Sequence, residues 1–317
     1  MNSRARTATI VPSRQSYRPV TASRWATTLV LHSVVAAIAV ATVFPFLWMV
    51  SSSFKPNSEL FRFPPSLLPN KWYLDNFVRA WEAARFSRYF GNSVVVAVTG
   101  TLLTLGVCAM AAYAFCKLEF KGREALFWVV LGSQMVPGIV TLIPSFLVVR
   151  AMPLVGGNDL LGRGGHGLLN SYAGLIVPGA GGAFGVFLLR QFFSTIPEEL
   201  LDAARMDGCS ELGIFALIVM PLAKPALAAL SIFTFQGYWN DFIWPLVITS
   251  QDGCRTIQLG LMVFRQRFST DWGALMAGLH VLIGYVGVMV LWRNHYIGDA
   301  WAMTDIAPLI VRQLTAS

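Results

Sequence analysis

Apolar residues along the 317-residue chain come in long unbroken runs, without the alternation of an amphipathic helix or a half-buried strand. A helix needs about 20 consecutive apolar residues to cross the hydrocarbon of a bilayer, so such runs are typical of membrane-spanning helices. The runs predict an all-α polytopic membrane protein with six transmembrane helices, at 25–50, 91–115, 125–149, 171–190, 223–248 and 273–292. Pro137-Gly138 and Pro144 are predicted to interrupt the third span, and the glycines of the fourth predict close packing on neighbouring helices.

Polar stretches divide these spans. Residues 51–89 form an extracytoplasmic segment rich in proline and aromatic residues, and its prolines forbid a long helix in the first half. The glycine-rich stretch 150–170 loosely resembles a phosphate-binding loop, but no strand precedes it and no Gly-Lys-Ser/Thr follows it, so it is an exposed turn. The spans from the second onward make up a core at 90–292, which contains a polar loop at 194–225.

The orientation follows from the residues before the first span. The tail 1–24 is predicted to be disordered, and it carries arginines and no acidic residue, which favours a cytoplasmic position. Six spans then place the tail 293–317 and the loop 194–225 in the cytoplasm as well. A signal peptide is the alternative for 25–50, but its apolar region would be about 7–15 residues long, so this run is interpreted as an uncleaved span.

Composition supports the same class. Only 13% of the residues are charged and 55% are hydrophobic, whereas soluble domains carry about 25% charge. The net charge of +8 is explained by arginines beside spans at anionic headgroups, and nucleic acid is not expected as a partner. The four cysteines show no spacing of a disulfide framework or a metal site.

The polar loop 194–225 contains a predicted amphipathic helix at 196–207. Thr195 and Glu198 have capping-box spacing, and Gly208 is placed to end the helix. Residues at i, i+3, i+4 and i+7 form a flat face with two alanines at its centre. A helix that lies on a bilayer favours basic residues, so the acidity of this one favours a protein partner. The predicted contact residues are Glu198, Glu199, Leu200, Asp202, Ala203, Ala204, Arg205, Asp207 and Gly208.

The loop also carries a family motif. Asp202-Ala203-Ala204, three residues, Gly208, nine residues and Ile218-x-Met220-Pro221 resemble the Glu-Ala-Ala loop of ABC importer permeases. Asp202 and Met220 depart conservatively from the family's Glu and Leu. Further segments resemble the carbohydrate-uptake type-I branch, which includes maltose and sn-glycerol-3-phosphate permeases: SSFKPNSELF, PPSLLP, NSVVVAV, MVPGIVTLIPSFLVV, WNDFIWPLV and DWGALMAG, over roughly residues 40–280.

The resemblance implies a type I ABC importer permease in a bacterial cell membrane. Such a permease pairs with a second permease subunit and two cytoplasmic ATP-binding cassette subunits, and an extracytoplasmic solute-binding protein delivers the solute. The coupling helix docks on one ATPase subunit and transmits its closure. ATP and Mg²⁺ would be bound by the ATPase subunits, because this chain has no Walker sequence, and no enzymatic activity is expected of the chain itself.

Polar residues within spans are the candidates for a solute pathway, because they are costly in hydrocarbon. Aromatic faces and planar polar groups are the chemistry that binds sugars. The alternatives are hydrogen bonds between helices and an interfacial aromatic belt. The candidates are Asn92, Gln134, Gln236, Tyr238, Asn240 and Asp241.

Other functions stay open at this point. The substrate is predicted to be a di- or oligosaccharide, and glycerol-3-phosphate or an amino sugar is the alternative. A secondary transporter would need acidic residues within the spans, where only Asp241 is available, and a membrane scaffold would use the acidic loop merely for docking. The last span has Gly284 and Gly287 but lacks the family's usual proline, so the family's role for the C-terminal segment is not carried over.

Overall fold

The computed structural model describes residues 22–83, 85–262 and 270–279, which form helices joined by loops. The first half contains α1 Ala22–Ser53, α2 Asn57–Leu60, α3 Asp75–Ala83, α4 Phe86–Lys117, α5 Arg123–Ser133, α6 Gly138–Arg150 and α7 Tyr172–Ile176. The second half contains α8 Ala183–Phe193, α9 Glu198–Met206, α10 Glu211–Ile214, α11 Met220–Leu222, α12 Lys224–Asn240, α13 Ile243–Ile248 and α14 Ile257–Leu261, and residues 272–279 are also helical.

Two helices are long and apolar enough to cross a membrane alone, over Thr28–Ser53 and Ser87–Lys117. They coincide with the first two predicted spans, although α4 begins earlier than expected. Three further pairs of helices reach the required length only together, each across a bend, which gives up to five spans among the described residues. The predicted sixth span lies largely outside the described residues, so the number six and the cytoplasmic position of both termini stay predictions.

The third predicted span is sharply bent. Its two halves, α5 and α6, meet at 105°, and Pro137 stands immediately before α6 with an extended ψ of 132°. Proline has no N–H to donate to the preceding turn, so the helix restarts here. The interruption predicted at Pro137 is confirmed. Pro144, by contrast, lies inside α6, which continues through it.

The fourth predicted span is not the single helix expected over 171–190. It consists of α7 with a 3₁₀ turn, and then α8 at an angle of 49°. Gly181 and Gly182 lie between the two pieces, and glycine is costly to order within a helix. Close packing by glycine is nevertheless confirmed, because a Cβ built on Gly185 would lie 2.8 Å from the Cys108 sulfur of α4.

The core of the molecule surrounds α4, which packs against α8 on one side and α12 on another. Small residues line this contact, and Cys108, Ala109 and Ala112 are completely buried there, together with Leu189 of α8. Close approach through small side chains is the usual way in which membrane helices associate. The apolar residues of α1 from Leu29 to Leu47 are exposed, as expected for a helix that faces lipid or another subunit.

The segment after α1 is held to the end of that helix by buried polar side chains. Lys55 is almost fully buried, and its ammonium group donates to the carbonyls of Ser66 and Leu67. Asn76 is also buried and donates to the carbonyls of Ser53 and Lys55 at 2.9 and 2.8 Å. The segment therefore has an ordered fold without a long helix in its first half, which agrees with its prolines.

The glycine-rich stretch 150–170 is exposed, as expected, and it is also well ordered. Asn158 donates to the carbonyls of Arg150 and Met152. The Asp159 carboxylate accepts from the backbone N–H groups of Leu161 and Arg163 at 2.9 and 2.8 Å. These hydrogen bonds join side chains and backbone groups of the same loop, and they stabilise its turns.

The polar loop leads into the fifth span through an irregular helix. A π-helical turn, Phe215–Val219, joins α10 to α11, and the resulting rod over Glu211–Leu222 makes an angle of 79° with α12. The bend lies at Ala223, where the fifth span was predicted to begin. The span itself is interrupted after Asn240, so that α12 and α13 share its length.

Candidate functional site

The acidic helix of the polar loop is α9, Glu198–Met206. It has one buried side and one exposed side. Leu201 is fully buried and Ala204 nearly so, and both pack into the core beside α4 and α8. Leu200 and Met206 are 49% and 87% exposed. A short helix with apolar residues on its outer side is suited to contact with another protein.

The predicted face of this helix was wrong in one respect. Ala203 and Ala204 were expected to lie together at the centre of an open surface, but only Ala203 is exposed. Burial of Leu201 determines the orientation of the helix, and Ala204, three residues later, lies on the same inward side. The open surface is formed by Glu199, Leu200, Ala203 and Met206.

The predicted capping box was also wrong. The helix begins at Glu198 after Pro197, which provides no side-chain cap. The hydroxyl of Thr195 donates to the carbonyl of Phe192 at 2.7 Å instead. Glu198 binds cations, with Lys117 Nζ at 2.9 Å and Arg205 Nη1 at 3.3 Å. Charge-assisted hydrogen bonds of this kind are stronger than a hydrogen bond to a neutral N–H. Glu198 therefore binds the two cations and does not form the capping-box bond to the backbone of Thr195.

The helix end was predicted correctly. Gly208 has a φ of +79°, and its N–H donates to the Arg205 carbonyl at 3.0 Å. The next N–H, of Cys209, donates to the Ala204 carbonyl at 2.9 Å. This pair of bonds is the Schellman motif, in which glycine adopts the left-handed conformation without steric cost.

Replacement of Gly208 by alanine should weaken this helix end. A Cβ there meets no atom within 4 Å, so only the backbone conformation carries a cost, about 1–2 kcal/mol for an L-residue. We expect hydrogen exchange of the α9 amides to become roughly tenfold faster, and Gly208→Asn to show a smaller effect. Gly132→Ala, within α5 and equally open, is the matched control. Unchanged exchange in Gly208→Ala would contradict the assignment of the motif.

A charge network joins α9 to the end of α4. Arg205 is its centre and donates to Asp202 at 2.7 Å and to Glu211 at 2.9 Å, in addition to Glu198. The second oxygen of Glu211 accepts from the Tyr113 hydroxyl at 2.5 Å. These bonds lower the pKa of Glu211, with Arg205 as the larger cause and Tyr113 as the next, so the network is intact at neutral pH and loses Glu211 only as pH falls through that lowered pKa.

Sequence reasoning missed three members of this network. Tyr113 and Lys117 belong to α4, and Glu211 is the first residue of α10. Lys117 is almost buried and also donates to the Ile196 carbonyl at 2.8 Å. One feature of the sequence could have indicated this network: Lys117 is a cation at the end of an apolar run, and the acidic loop 194–225 offers carboxylates that could pair with it.

Several polar residues proposed for the pathway have structural contacts. Asn92 is buried; it donates to the carbonyls of Gly253 and Arg255 and accepts from Tyr172 at 2.6 Å. The hydroxyl of Tyr238 donates to the Ile176 carbonyl at 3.0 Å. These positions favour the alternative of hydrogen bonds between elements over direct contact with solute.

The remaining candidates differ in position. Gln236 and Asn240 are exposed one turn apart on α12, and Gln258 of α14, which was missed, lies 3.5 Å from the Asn240 side chain. Asp241 lies at the break after α12, where its carboxylate accepts from the Trp244 N–H at 3.3 Å. Gln134 is exposed at the bend after α5. The structure therefore brings together Gln236, Asn240 and Gln258, and it leaves Gln134 apart.

An apolar helical bundle with a motif-bearing helix outside its spans defines an integral membrane transport subunit. Residues 104–295 match the family described as "binding-protein-dependent transport system inner membrane component", and the chain belongs to this family. It is therefore a permease subunit of an ABC transporter and an integral membrane protein.

Similar proteins support the assignment over most of the chain. A probable ABC transporter permease protein of Bacillus subtilis, YurM, is 35% identical over 81% of this chain and 81% of its own. AraQ of Halalkalibacterium halodurans, an arabinooligosaccharides transport system permease protein, is 34% identical over 82% and 90%. A chain of a bacterial ABC transporter involved in import of the acidic polysaccharide alginate shares the fold, with a TM-score of 0.72, 21% identity, and coverage of 87% and 97%.

Proposed function

We propose that this chain is a permease subunit of an ATP-driven sugar importer, and that α9 is its contact with an ATPase subunit. The assembly would contain a second permease subunit, two ATP-binding cassette subunits that bind ATP and Mg²⁺, and an extracytoplasmic solute-binding protein. The single observation that carries the proposal is α9. It has a fixed C-terminal end, an inward side anchored in the core, and an outward side that carries Ala203 within the motif Asp202-Ala203-Ala204.

The geometry of α9 fits docking into a cleft. Its outward side combines exposed apolar side chains, Leu200 and Met206, with a small central residue, Ala203. Small residues allow close approach of the partner, and the apolar groups provide the buried area. The inward side, by contrast, contributes Leu201 to the core, so a force on the helix reaches the bundle.

We further propose that the solute is a neutral di- or oligosaccharide. The exposed polar side chains in the second half of α12 are the amides of Gln236 and Asn240, and Gln258 adds a third amide beside Asn240. Amides donate and accept hydrogen bonds, which suits sugar hydroxyls, whereas a phosphate group would be expected to need a cation. The arabinooligosaccharide relative is consistent with this class.

Charge reversal at Asp202 tests the docking proposal. We expect Asp202→Lys to reduce co-purification of the ATPase subunit in detergent, because it places a cation on an acidic contact helix and breaks the bond to Arg205. Glu119→Lys is the matched control, since Glu119 is exposed in the loop between α4 and α5. Equal loss of the ATPase in both variants would assign the effect to charge in general, and retention in both would refute the proposal.

Uptake into cells separates the solute classes. The probes are arabinotriose, maltotriose and glycerol-3-phosphate, each supplied as the sole carbon source, with a strain that lacks this chain as the control. Growth that depends on the chain with either trisaccharide supports the neutral class. Dependence with glycerol-3-phosphate alone would overturn it.

A further inference from the structure

Two residues of α4 lie at the centre of the last inference. Tyr113 and Lys117 are four residues apart, so they share one face of the helix and lie one turn apart. Tyr113 contacts Glu211 of α10, and Lys117 contacts Glu198 of α9. The loop is therefore attached to α4 at two successive turns.

Arg205 connects these two attachments. Its guanidinium binds Glu198 through Nη1 and Glu211 through Nε, so the acid that reaches Lys117 and the acid that reaches Tyr113 share one cation. The planar fork of arginine can hold several carboxylates in fixed directions, which lysine cannot do. Arg205 also binds Asp202, within the motif segment itself.

We propose that Arg205, Glu211 and Tyr113 form a relay that fixes the rotation of α9 relative to α4. The inference rests on the proposed docking of α9. Leu201 and Ala204 belong to the same buried apolar core as residues of α4, and apolar burial has no directional preference. Hydrogen bonds are directional, and two of them at different heights of α4 prevent α9 from rolling or sliding on it. Displacement of α9 by the ATPase is then passed to α4 as a tilt.

The position of α4 gives this relay its importance. The helix packs against both α8 and α12, and α12 carries Gln236 and Asn240. A tilt of α4 therefore displaces α12, the helix that carries the polar groups of the proposed pathway. Arg205, Glu211 and Tyr113 are positioning residues, because they would touch neither solute nor nucleotide.

The test measures how ATP changes the outer end of α12 without the need for a known solute. The full complex in nanodiscs carries Asn240→Cys, with the four native cysteines replaced by alanine, and is labelled with a membrane-impermeant maleimide with and without ATP and vanadate. The variants are Tyr113→Phe, Glu211→Gln and the double variant. Tyr113→Phe removes only one hydroxyl, so it should fold normally.

We expect each single variant to reduce the ATP-dependent change in labelling rate by about tenfold or more, the scale of one hydrogen bond to a charged group. The double variant should be no worse than the more affected single one, because the Arg205–Glu211 and Glu211–Tyr113 bonds lie in series and loss of either interrupts the relay. ATPase retention on the complex should stay unchanged. Arg190→Gln is the matched control, since Arg190 forms a 2.8 Å ion pair with Glu124 between α8 and α5 outside the relay.

The outcomes separate the two proposals. A normal change in labelling rate in Tyr113→Phe and Glu211→Gln, with the ATPase retained, would overturn the relay while docking stands. Additive losses in the double variant would also overturn it, because the two residues would then act independently. Retention of the ATPase by a variant with a blocked α9 surface would refute the docking proposal and the relay with it.

Discussion

Ala203→Trp is expected to abolish retention of the ATPase subunit while the chain itself stays folded. Ala203 is exposed on α9, so an indole there disturbs no contact of the core. A docking surface that closes around a methyl group cannot accept an indole without separation of its neighbouring contacts. The penalty should reach that of an interface hot spot, about 2 kcal/mol or more, which is roughly thirtyfold or more in affinity. Solute uptake should fall in parallel.

Co-purification in detergent, combined with size-exclusion chromatography of the chain, measures this effect. Ala125→Trp is the matched control, because Ala125 is also an exposed helical alanine, in the first turn of α5. We expect it to retain the ATPase. An Ala203→Trp chain that still retains the ATPase would show that α9 is not the docking element, whatever its motif.

Gly100→Ala is expected to destabilise the helical bundle. A Cβ on Gly100 would lie 2.6 Å from the ring of Tyr238, on the contact between α4 and α12. The same ring faces Gly179 from the other side, where a Cβ would lie 2.8 Å from the hydroxyl. The ring therefore cannot move away, and overpacking of this kind costs about 1–3 kcal/mol.

Thermal unfolding of the purified chain checks this expectation. Gly106→Ala in the same helix is the matched control, because a Cβ there meets no atom within 4 Å, and it should leave the melting temperature nearly unchanged. Adding Tyr238→Leu to Gly100→Ala should recover part of the loss by making room for the methyl group. If the two alanine variants melt together, the close approach at Gly100 does not limit stability.

Local signals in the sequence predicted the parts of the site that depend on neighbouring residues. Gly208 ends α9 as expected, because the left-handed glycine and the two backbone hydrogen bonds that form this helix end all lie within a few residues of one another. The bend at Pro137 is equally local. The face of α9 was not predictable in the same way, since burial of Leu201 against helices far along the chain decides which of the two alanines is open.

Polar residues within the spans illustrate the same difference. Asn92 and Tyr238 were candidates for solute contact because of their chemistry alone. Asn92 bonds to Gly253, 161 residues later, and Tyr238 bonds to Ile176, 62 residues earlier. Such partners cannot be assigned from one sequence, whereas the residues that stay exposed, Gln236 and Asn240, keep the original interpretation open.

The π-helical turn Phe215–Val219 determines how the loop faces the bundle. A π turn is an α-helical turn that contains one additional residue, and each residue of an α-helix accounts for about 100° of rotation. Deletion of one residue from this turn would restore a regular helix and would turn everything before it by about that angle relative to Ala223. Glu211 would then point away from α4. A single inserted residue thus sets the angular phase between the loop that carries α9 and the helices of the bundle.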